Sequence, residues 1–283
     1  METLKETKKL ADLLTTMYAN ITSLDLSFNE IQDDGAIAIG DSLKSHKALK
    51  ELKLRECGIT AKGAKALAGA LSVNGVITFM DVSNNSIGDE GMRTIGKALL
   101  GTRTSKLGSL KCDAFELPVG ATSLDLRGKR PIGSAAATLL AGVVKHNAVL
   151  KTVDVSHNSQ IEGEAAQQLA AAALGSASLE MLSKVPIKEI REDKHTELNL
   201  NRKGLGSTEA IVLAKLLKGS GVLTDLNLKN NRIGPDGAKA LARSLKVNAV
   251  LKSCDVRFNG LDEAAKNELR DAVKGREGFE LLI

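Results

Sequence analysis

The stretch of this sequence that comes nearest to a nucleotide-binding motif is "GMRTIGKA", residues 91–98. It nearly matches the phosphate-binding P-loop, in which a glycine-rich loop ends in Gly-Lys followed by Ser or Thr. Ala98 stands at the position where the motif requires that hydroxyl group. The internal repeat of the chain also places the stretch inside a helix, where its backbone amides are already hydrogen-bonded. We therefore expect no nucleotide cofactor at this position.

The histidines and cysteines show no metal-site or catalytic pattern. His46, His146, His157 and His195 lack the helical spacing of paired metal ligands, and no Cys-x-x-Cys motif accompanies them. Cys254 occupies a strand position that is Leu in other copies of the repeat, so we expect a small buried hydrophobe there. No set of Ser, His and acid can be assembled either. We expect no catalytic residue, no metal, no cofactor and no enzymatic activity.

The remaining candidates are charged side chains on the predicted strands and on the loops that leave them. The residues that we predict to bind a partner are Asp25, Lys53, Arg55, Asp81, Asp125, Arg127, Lys129, Arg130, Asp154, Arg202, Lys203, Lys229, Arg232, Asp255 and Arg257. A charged partner docking on this face would use the arginines as anchors, and the loop cations would suit a carboxylate-rich or phosphorylated surface. The alternative is that these charges only solvate the strands, since exposed ion pairs contribute about 0–1 kcal/mol each.

An internal repeat positions these residues. "TDLNLKNNRIGPDGAKALARSL" at 224–245 returns in altered form as "TSLDLSFNEIQDDGAIAIGDSL" at 22–43. The equivalent first positions of the "L-x-L" pattern are Leu24, Leu52, Met80, Leu124, Val153, Leu198, Leu226 and Cys254. Their spacings are 28, 28, 44, 29, 45, 28 and 28 residues, so a 73-residue module, 80–152, is followed by a second copy, 153–225. Such periods indicate a repeat architecture.

Each unit begins with a short strand and a turn. Leu226 and Leu228 point to one side of the strand, and the polar residues between them point to the other. A buried amide both donates and accepts, so Asn231 is expected to satisfy the backbone of adjacent turns. Its equivalents are Asn29, Asn85, Asn158 and Asn259, with Cys57 in the second unit. Counting the two irregular inserts, we predict about ten short parallel strands in one solenoid.

A helix follows each turn. In "GPDGAKALARSL", Pro235 suits the first turn and Asp236 suits the positive end of the helix. Leu241 and Leu245 lie four residues apart on one face. The helix is expected to end at an Asn in the left-handed conformation before the next strand. The asparagines at this position are Asn74, Asn147 and Asn248.

The unit "LxLxxNxI(G)xxGAxALAxxLxxN" resembles the leucine-rich repeat (LRR) of the ribonuclease-inhibitor-like class, over roughly residues 21–278. This resemblance implies an α/β fold, a right-handed solenoid or horseshoe with parallel strands on its concave face and helices on its convex face. Two inserts, residues 105–123 and 178–197, depart from the pattern, and each is expected to add a strand and a shortened turn without a full helix. Units such as "KCDAFELPVGATSLDL" are similar to those of leucine-rich repeat proteins from protists and algae.

We predict a single domain over residues 1–283. Residues 1–20 are expected to form an N-terminal capping helix, residues 21–261 the repeats and residues 262–283 a C-terminal cap. Caps are needed because a terminal layer of repeats would otherwise expose its apolar face. Phe279 and Leu281 are expected to cover the last layer.

The composition indicates the cellular compartment and the kind of partner that we expect. The net charge is +5 and the pI is about 9.0, but Lys and Arg are scattered, which favours mild attraction to acidic partners without indicating nucleic acid. Three cysteines indicate a reducing compartment rather than a disulfide framework. No secretory segment or long apolar run is visible. We expect a cytoplasmic monomer that binds a protein partner, with no nucleic acid and no membrane.

The resemblance implies a non-enzymatic scaffold or adaptor that binds a protein through its concave face and its strand-exit loops. The alternative is a regulator of a small GTPase, because Ran GTPase-activating proteins resemble the same repeat class, although the acidic run that many of them carry is missing here. An innate-immune sensor would need a nucleotide-binding domain, which this sequence lacks. A nucleic-acid binder would need stacking aromatics, and the strand-centre Asp column would repel phosphate.

Overall fold

The computed structural model describes Lys9, residues 19–128 and residues 132–283. In these parts of the chain, strands of two or three residues alternate with helices of five to fourteen residues. The chain divides into two compact units, residues 1–121 with 135–149 (unit 1) and residues 122–134 with 150–283 (unit 2). The predicted N-terminal capping helix, residues 1–20, falls almost wholly outside the described residues.

Unit 1 contains one sheet and the helices packed beside it. Its strands are β1 (Ser23–Asp25), β2 (Glu51–Lys53), β3 (Phe79–Asp81), β4 (Ser109–Lys111) and β5 (Glu116–Leu117). Its helices are α1 (Gln32–Leu43), α2 (Ala61–Leu71), α3 (Gly88–Gly101) and all but the first residue of α4 (Ser134–His146). The sheet order is β1-β2-β3-β4-β5. The pairs from β1 to β4 are parallel, whereas β5 pairs antiparallel with β4.

Unit 2 contains two sheets. Strands β6 (Ser123–Asp125), β7 (Thr152–Asp154) and β8 (Met181–Leu182) form a parallel sheet in that order. Strands β9 (Glu197–Asn199), β10 (Asp225–Asn227), β11 (Ser253–Asp255) and β12 (Glu280–Leu282) form a second parallel sheet. The helices are α5 (Gly163–Gly175), α6 (Ile187–Arg191), α7 (Ser207–Leu217), α8 (Gly234–Leu245) and α9 (Glu263–Val273).

The strand register confirms the repeat. Leu24 pairs with Leu52, and Leu52 pairs with Met80. In unit 2, Leu226 lies between Leu198 and Cys254. Each pair therefore joins residues that the sequence had placed at equivalent positions. The result is the expected α/β repeat fold, with parallel strands alternating with helices.

The core of a single repeat lies between its strand and its helix. Leu226 and Leu228 of the β10 region are at most 2% exposed, and Leu241 and Leu245 of α8 are at most 1% exposed. Burying a Leu side chain contributes about 1.5–3 kcal/mol relative to leaving it exposed. Gly237 lets α8 approach α7 closely, because a Cβ at this position would lie 2.7 Å from the Cβ of Ala210. Small residues on the helices therefore permit thin layers in a chain with only 2% aromatic residues.

Buried asparagines join adjacent turns, as predicted. The Nδ2 of Asn231 donates to the carbonyls of Leu200 and Leu228 at 2.8 Å, and its Oδ1 accepts from the amides of Lys203 and Leu205 at 3.0 and 3.1 Å. Asn85, Asn158 and Asn259 make the same kinds of bond. The prediction is wrong for Asn29, which is exposed and, within the described residues, donates to the nearby carbonyls of Leu26 and Ser27.

The prediction that helices end at a left-handed Asn is also wrong. Asn74, Asn147 and Asn248 are not among the residues with positive φ. Their side chains act instead. The Nδ2 of Asn248 donates to the Leu217 carbonyl at 2.6 Å, and its Oδ1 accepts from the amides of Val250 and Leu251. The amide group therefore links one helix end to the turn before the next strand.

The two inserts differ from each other. The first forms the antiparallel β4–β5 hairpin, in which Leu110 pairs with Leu117, and it has no helix. The second forms β8 and the five-residue helix α6. Both thus add the expected strand and lack a full helix. The antiparallel β5 was not predicted, and neither was β12, which pairs parallel with β11 and places Leu281 beside Cys254.

Candidate functional site

The strand-centre side chains have a local structural role. Seven of the eight accept a hydrogen bond from the backbone N–H two residues later, at 2.9–3.1 Å. These seven are Asp25, Asp81, Asp125, Asp154, Asn199, Asn227 and Asp255. Such a turn needs a side-chain oxygen and not a charge, because Asn serves as well as Asp. The predicted acidic column is therefore explained in large part by how each strand ends. Lys53, the eighth residue, cannot accept such a bond.

The sheet of unit 1 holds four of the predicted residues. Lys53 Nζ lies 3.8 Å from Asp25 Oδ2, and hydrogen bonds from Ser27, together with Lys53, lower the pKa of Asp25 below its ordinary value. Asp81 is buried, and its Oδ1 accepts from the Ser83 hydroxyl at 2.6 Å. The Arg55 guanidinium lies 5.3 Å from the ring centroid of Phe28.

The sheet β6-β7-β8 holds three more of the predicted residues, Asp125, Arg127 and Asp154. Their charges are already paired. Arg127 Nη2 lies 2.6 Å from Asp125 Oδ2, and Arg127 Nε lies 3.4 Å from Asp154 Oδ2. The Nζ of Lys184, a residue that the sequence analysis did not select, lies 3.3 Å from the same Asp154 oxygen. The predicted neighbours Lys129 and Arg130 lie outside the described residues. The charges that can be described on this sheet largely neutralise one another.

The sheet β9-β10-β11-β12 and its exit loops hold the remaining six predicted partner-binding residues. Arg257 Nη2 lies 2.6 Å from Asp255 Oδ2. Burial raises the pKa of Asp255, but the hydrogen bonds and charge of Arg257 outweigh it and hold the pKa below its ordinary value. Lys229 Nζ lies 5.6 Å from the ring centroid of Phe258. Arg202, Lys203 and Arg232 are exposed on the loops that leave β9 and β10.

Two exposed phenylalanines were missed by the sequence analysis. Phe28 and Phe258 occupy the same repeat position, four residues after the first position of the L-x-L pattern, and they are 65% and 68% exposed. Both have left-handed backbone, with φ of 62° and 57°. The turn requires this conformation, because Glu56, Asn84 and Arg202 adopt it at equivalent positions. The coincidence of Phe at two equivalent turns was visible in the sequence and is the signal that would have found them.

The other chemical candidates do not form a site. The P-loop-like stretch 91–98 lies within helix α3. Cys254 is fully buried, and burial raises its pKa to about 12. Cys57 and Cys112 are also buried. In the described parts of the chain, no group of three or more His, Cys, Asp or Glu side chains is placed to hold a metal ion. The helices described there include none with the length and apolar character needed to cross a bilayer.

Comparison with known protein families adds independent support for the repeat. The family profile "Leucine Rich repeat" matches residues 19–40, 46–68, 76–96, 146–170 and 222–242. These segments begin shortly before strands β1, β2, β3, β7 and β10 and extend into the helix of each unit. The chain contains leucine-rich repeats.

Curated relatives align over parts of these leucine-rich repeats. Human "NACHT, LRR and PYD domains-containing protein 5" is 39% identical over 92 residues, which cover 32% of this chain and 8% of that protein. Mouse "Centrosomal protein of 78 kDa" is 39% identical over 75 residues, 26% of this chain and 10% of that protein. The aligned part of the chain thus spans about a tenth or less of either relative.

Among solved structures, the tropomodulin C-terminal domain of Caenorhabditis elegans aligns with 63% of this chain and 81% of its own. The TM-score of this alignment is 0.35 and the sequence identity is 9%.

Proposed function

We propose that these leucine-rich repeats form a non-enzymatic protein–protein interaction module, a scaffold or adaptor that binds a protein partner through its strand faces and strand-exit loops. The observation that supports the proposal best is the pair of exposed phenylalanines, Phe28 and Phe258, each beneath a cation. The matching family profile also supports it.

The fold gives no reason for Phe at these two turns. Left-handed backbone suits Gly, Asn and Asp and is unfavourable for a bulky side chain. A side chain that stays about two-thirds exposed also gains little from burial. The chain has only five Phe, and two of them stand at this position. Since neither local conformation nor packing favours them, we infer that a bound partner does.

The surroundings of each ring resemble the centre of a protein interface. Exposed aromatics and arginines dominate the binding energy of interfaces when a partner covers them. The Arg55 guanidinium lies over Phe28, and the Lys229 ammonium lies over Phe258. A cation held over a ring face restricts the motion of both side chains, so less entropy is lost when the partner binds.

Three finer points belong to the proposal. We assign the repeats to the ribonuclease-inhibitor-like class, because full helices follow most strands in units of 28 or 29 residues. We place the protein in the cytoplasm, because Cys57, Cys112 and Cys254 are all free and buried. We retain all fifteen predicted partner-binding residues as candidates, with Phe28 and Phe258 added as anchors.

Site-specific cross-linking tests the proposal. A photoreactive phenylalanine analogue replaces Phe28 or Phe258, and the protein is irradiated in an extract of the cells that express it. The matched controls carry the analogue at Val73 or Val247, which are 54% and 67% exposed and lie in the turns between a helix and the next strand. We expect one protein to be cross-linked from the Phe positions and not from the Val positions. Equal labelling from all four positions would refute the proposal.

A further inference from the structure

The loops that leave strands β9, β10 and β11 are uniformly basic. Residues 201–205, 229–233 and 257–261, here named the basic exit loops, carry five cations and no Asp or Glu. The cations are Arg202, Lys203, Lys229, Arg232 and Arg257. The equivalent loops of unit 1, residues 27–31, 55–59 and 83–87, carry one cation, Arg55, against Glu30 and Glu56. The positive character is therefore not imposed by the repeat.

Most of these cations are not neutralised by the parts of unit 2 that the structure describes. Among the described residues, Arg257 is the only one of the five with an ion pair, to Asp255. Lys229 lies over the Phe258 ring. The backbone of the loops is firmly held, since the Arg202 amide donates to the Lys229 carbonyl at 3.1 Å and the Asn230 amide donates to the Arg257 carbonyl at 3.0 Å. The charges therefore stand on an ordered frame.

Two of the three neighbouring strand centres carry no charge at this sheet. Asn199 and Asn227 replace Asp at the turn-forming position of β9 and β10, and both keep the turn by accepting the backbone N–H two residues later. In the other sheets, this position is Asp at β1, β3, β6 and β7 (Asp25, Asp81, Asp125 and Asp154) and Lys at β2 and β4 (Lys53 and Lys111). The remaining Asp255 is paired with Arg257. The exit loops thus favour negative charge, and Asn199 and Asn227 beside them do not repel it.

A recess adjoins the cations. Phe258 lines an open cavity of about 320 Å³ together with Arg257, Leu261, Lys266 and Ile283. Lys266 also pairs with Glu263 at 2.6 Å. Neighbouring strands in a sheet lie about 4.8 Å apart, so the three loops form a short continuous row of charge that ends at this recess.

We propose that the basic exit loops bind an acidic segment of the protein partner, with its Asp and Glu side chains facing the cations and one apolar side chain against Phe258. This assignment rests on the proposed function, because it specifies the chemistry of the partner at one of the two phenylalanine sites. Carboxylates suit the site because Arg forms paired, charge-assisted hydrogen bonds to them. The apolar side chain against Phe258 gives the segment specificity, as side-chain pockets do in peptide recognition.

The test uses a synthetic peptide and not the native partner. The probe is a fluorescently labelled peptide of Asp and Glu around a single central Leu, and its binding to the full chain is measured by fluorescence anisotropy. A second peptide has Asn and Gln in place of the acids. An oligothymidylate and vesicles containing phosphatidylserine report on nucleic-acid and lipid sources of negative charge.

Two triple variants of equal charge change distinguish a site from general attraction. Arg202→Glu, Lys203→Glu and Arg232→Glu reverse the loop charges. Glu is compatible with the left-handed turn at Arg202, since Glu56 adopts it. The control triple reverses exposed cations on helices α7 and α8 or directly after α7. Its substitutions are Lys215→Glu, Lys218→Glu and Arg243→Glu. Circular dichroism checks that both variants fold.

We expect the loop triple to weaken binding of the acidic peptide at least tenfold, or about 1.4 kcal/mol, and the helix triple to change it less than twofold. Phe258→Ala should weaken the peptide with central Leu and leave an all-acidic peptide unaffected. Equal weakening by both triples, equal binding of the uncharged peptide, or tighter binding of the oligonucleotide or the vesicles would overturn the inference. These outcomes leave the proposed function standing, because cross-linking from Phe28 and Phe258 tests it without reference to charge.

Discussion

The hydroxyl of Ser183 donates a 2.5 Å hydrogen bond to the buried carboxylate of Glu209. Ser183 directly follows the two-residue strand β8, and Glu209 lies in helix α7. The Ser183 oxygen also accepts from the Val155 amide at 3.1 Å, and the second Glu209 oxygen accepts from the Gly206 amide at 2.8 Å. A serine and a glutamate thus join adjacent turns here, as the bridging asparagines do elsewhere in the chain.

The buried Ser183–Glu209 pair predicts a pH-dependent stability. Burial raises the pKa of Glu209 above its ordinary value of 4.5, and Asp154 adds to this, despite the hydrogen bonds from Ser183 and Gly206. Between the unfolded and folded pKa values the folded state binds more protons. The free energy of unfolding contributed by Glu209 is therefore greatest below the unfolded pKa and decreases as the pH rises through the folded pKa.

Glu209→Gln should remove this component. Urea unfolding measured between pH of about 4 and 8 should show a flatter profile for Glu209→Gln than for the unmodified chain, whereas the exposed Glu268→Gln should match the unmodified chain. Glu209→Ala should lower stability by about 1–3 kcal/mol, because it leaves the buried Ser183 and Gly206 donors without an acceptor. Parallel profiles for the unmodified chain and Glu209→Gln would contradict this assignment.

The asparagine bridges predict that replacing Asn231 causes a large loss of stability. Its side chain pairs with four backbone groups of adjacent turns, so Asn231→Ala should lower the free energy of unfolding by about 2–4 kcal/mol, since each buried unpaired group costs about 1–3 kcal/mol. Asn29→Ala provides the contrast, because Asn29 is exposed and its loss should cost under about 1 kcal/mol. Chemical denaturation of both variants measures the difference, and similar losses would count against the bridging role.

Close helix packing predicts opposite effects for two glycines in helices. A Cβ at Gly237 would lie 2.7 Å from Ala210 Cβ and 3.2 Å from Ile233 Cβ, whereas a Cβ at Gly69 would meet nothing within 4 Å. Gly69→Ala should raise stability by about 0.5–1 kcal/mol, since Ala is the better helix former. Gly237→Ala should lower stability by about 1–3 kcal/mol through overpacking. Thermal unfolding distinguishes them, and a gain at both positions would show that α7 and α8 are further apart.

The strand-end turns predict that Asp255 can lose its charge without losing its structure. Asp255→Asn keeps an oxygen for the Arg257 amide, as Asn227 does for Lys229, and it releases the Arg257 guanidinium from its ion pair. We expect unchanged stability within about 0.5 kcal/mol and tighter binding of the acidic peptide probe. Asp255→Ala should lose about 1 kcal/mol of stability. Weaker peptide binding by the Asn variant would contradict the role assigned to the basic exit loops.

Much of the fold follows from the sequence because it depends on a repeated pattern. The 28-residue spacing set the strand register, and the four-residue Leu spacing set the helix faces, so Leu226 and Leu241 lie where predicted. The first insert was harder, because nothing in a short irregular segment distinguishes a turn from the β4–β5 hairpin. The prediction for Asn248 was wrong because Asn is typical both of a left-handed residue at a helix end and of a side chain that bridges two turns. The sequence does not distinguish these two roles.

The candidate site was only partly predictable. The sequence located the charged side chains, but it did not show that Asp154 and its equivalents accept a backbone hydrogen bond. It also did not show which cations remain unpaired, since Arg127 is held by two carboxylates and Arg202 is not. Such differences depend on which side chains meet across adjacent strands, and the repeat spacing does not determine them. The exposure of Phe28 and Phe258 also depends on which side chains meet across adjacent strands.

The central claim, that a protein partner binds at the exposed phenylalanines, is tested most directly by affinity. The partner identified by cross-linking is purified, and its dissociation constant is measured by isothermal titration calorimetry for two double variants. Phe28→Ala with Phe258→Ala should weaken binding at least tenfold, because truncating a central aromatic costs about 2 kcal/mol or more. Val73→Ala with Val247→Ala should leave the dissociation constant unchanged. Equal dissociation constants for the two variants would contradict the claim.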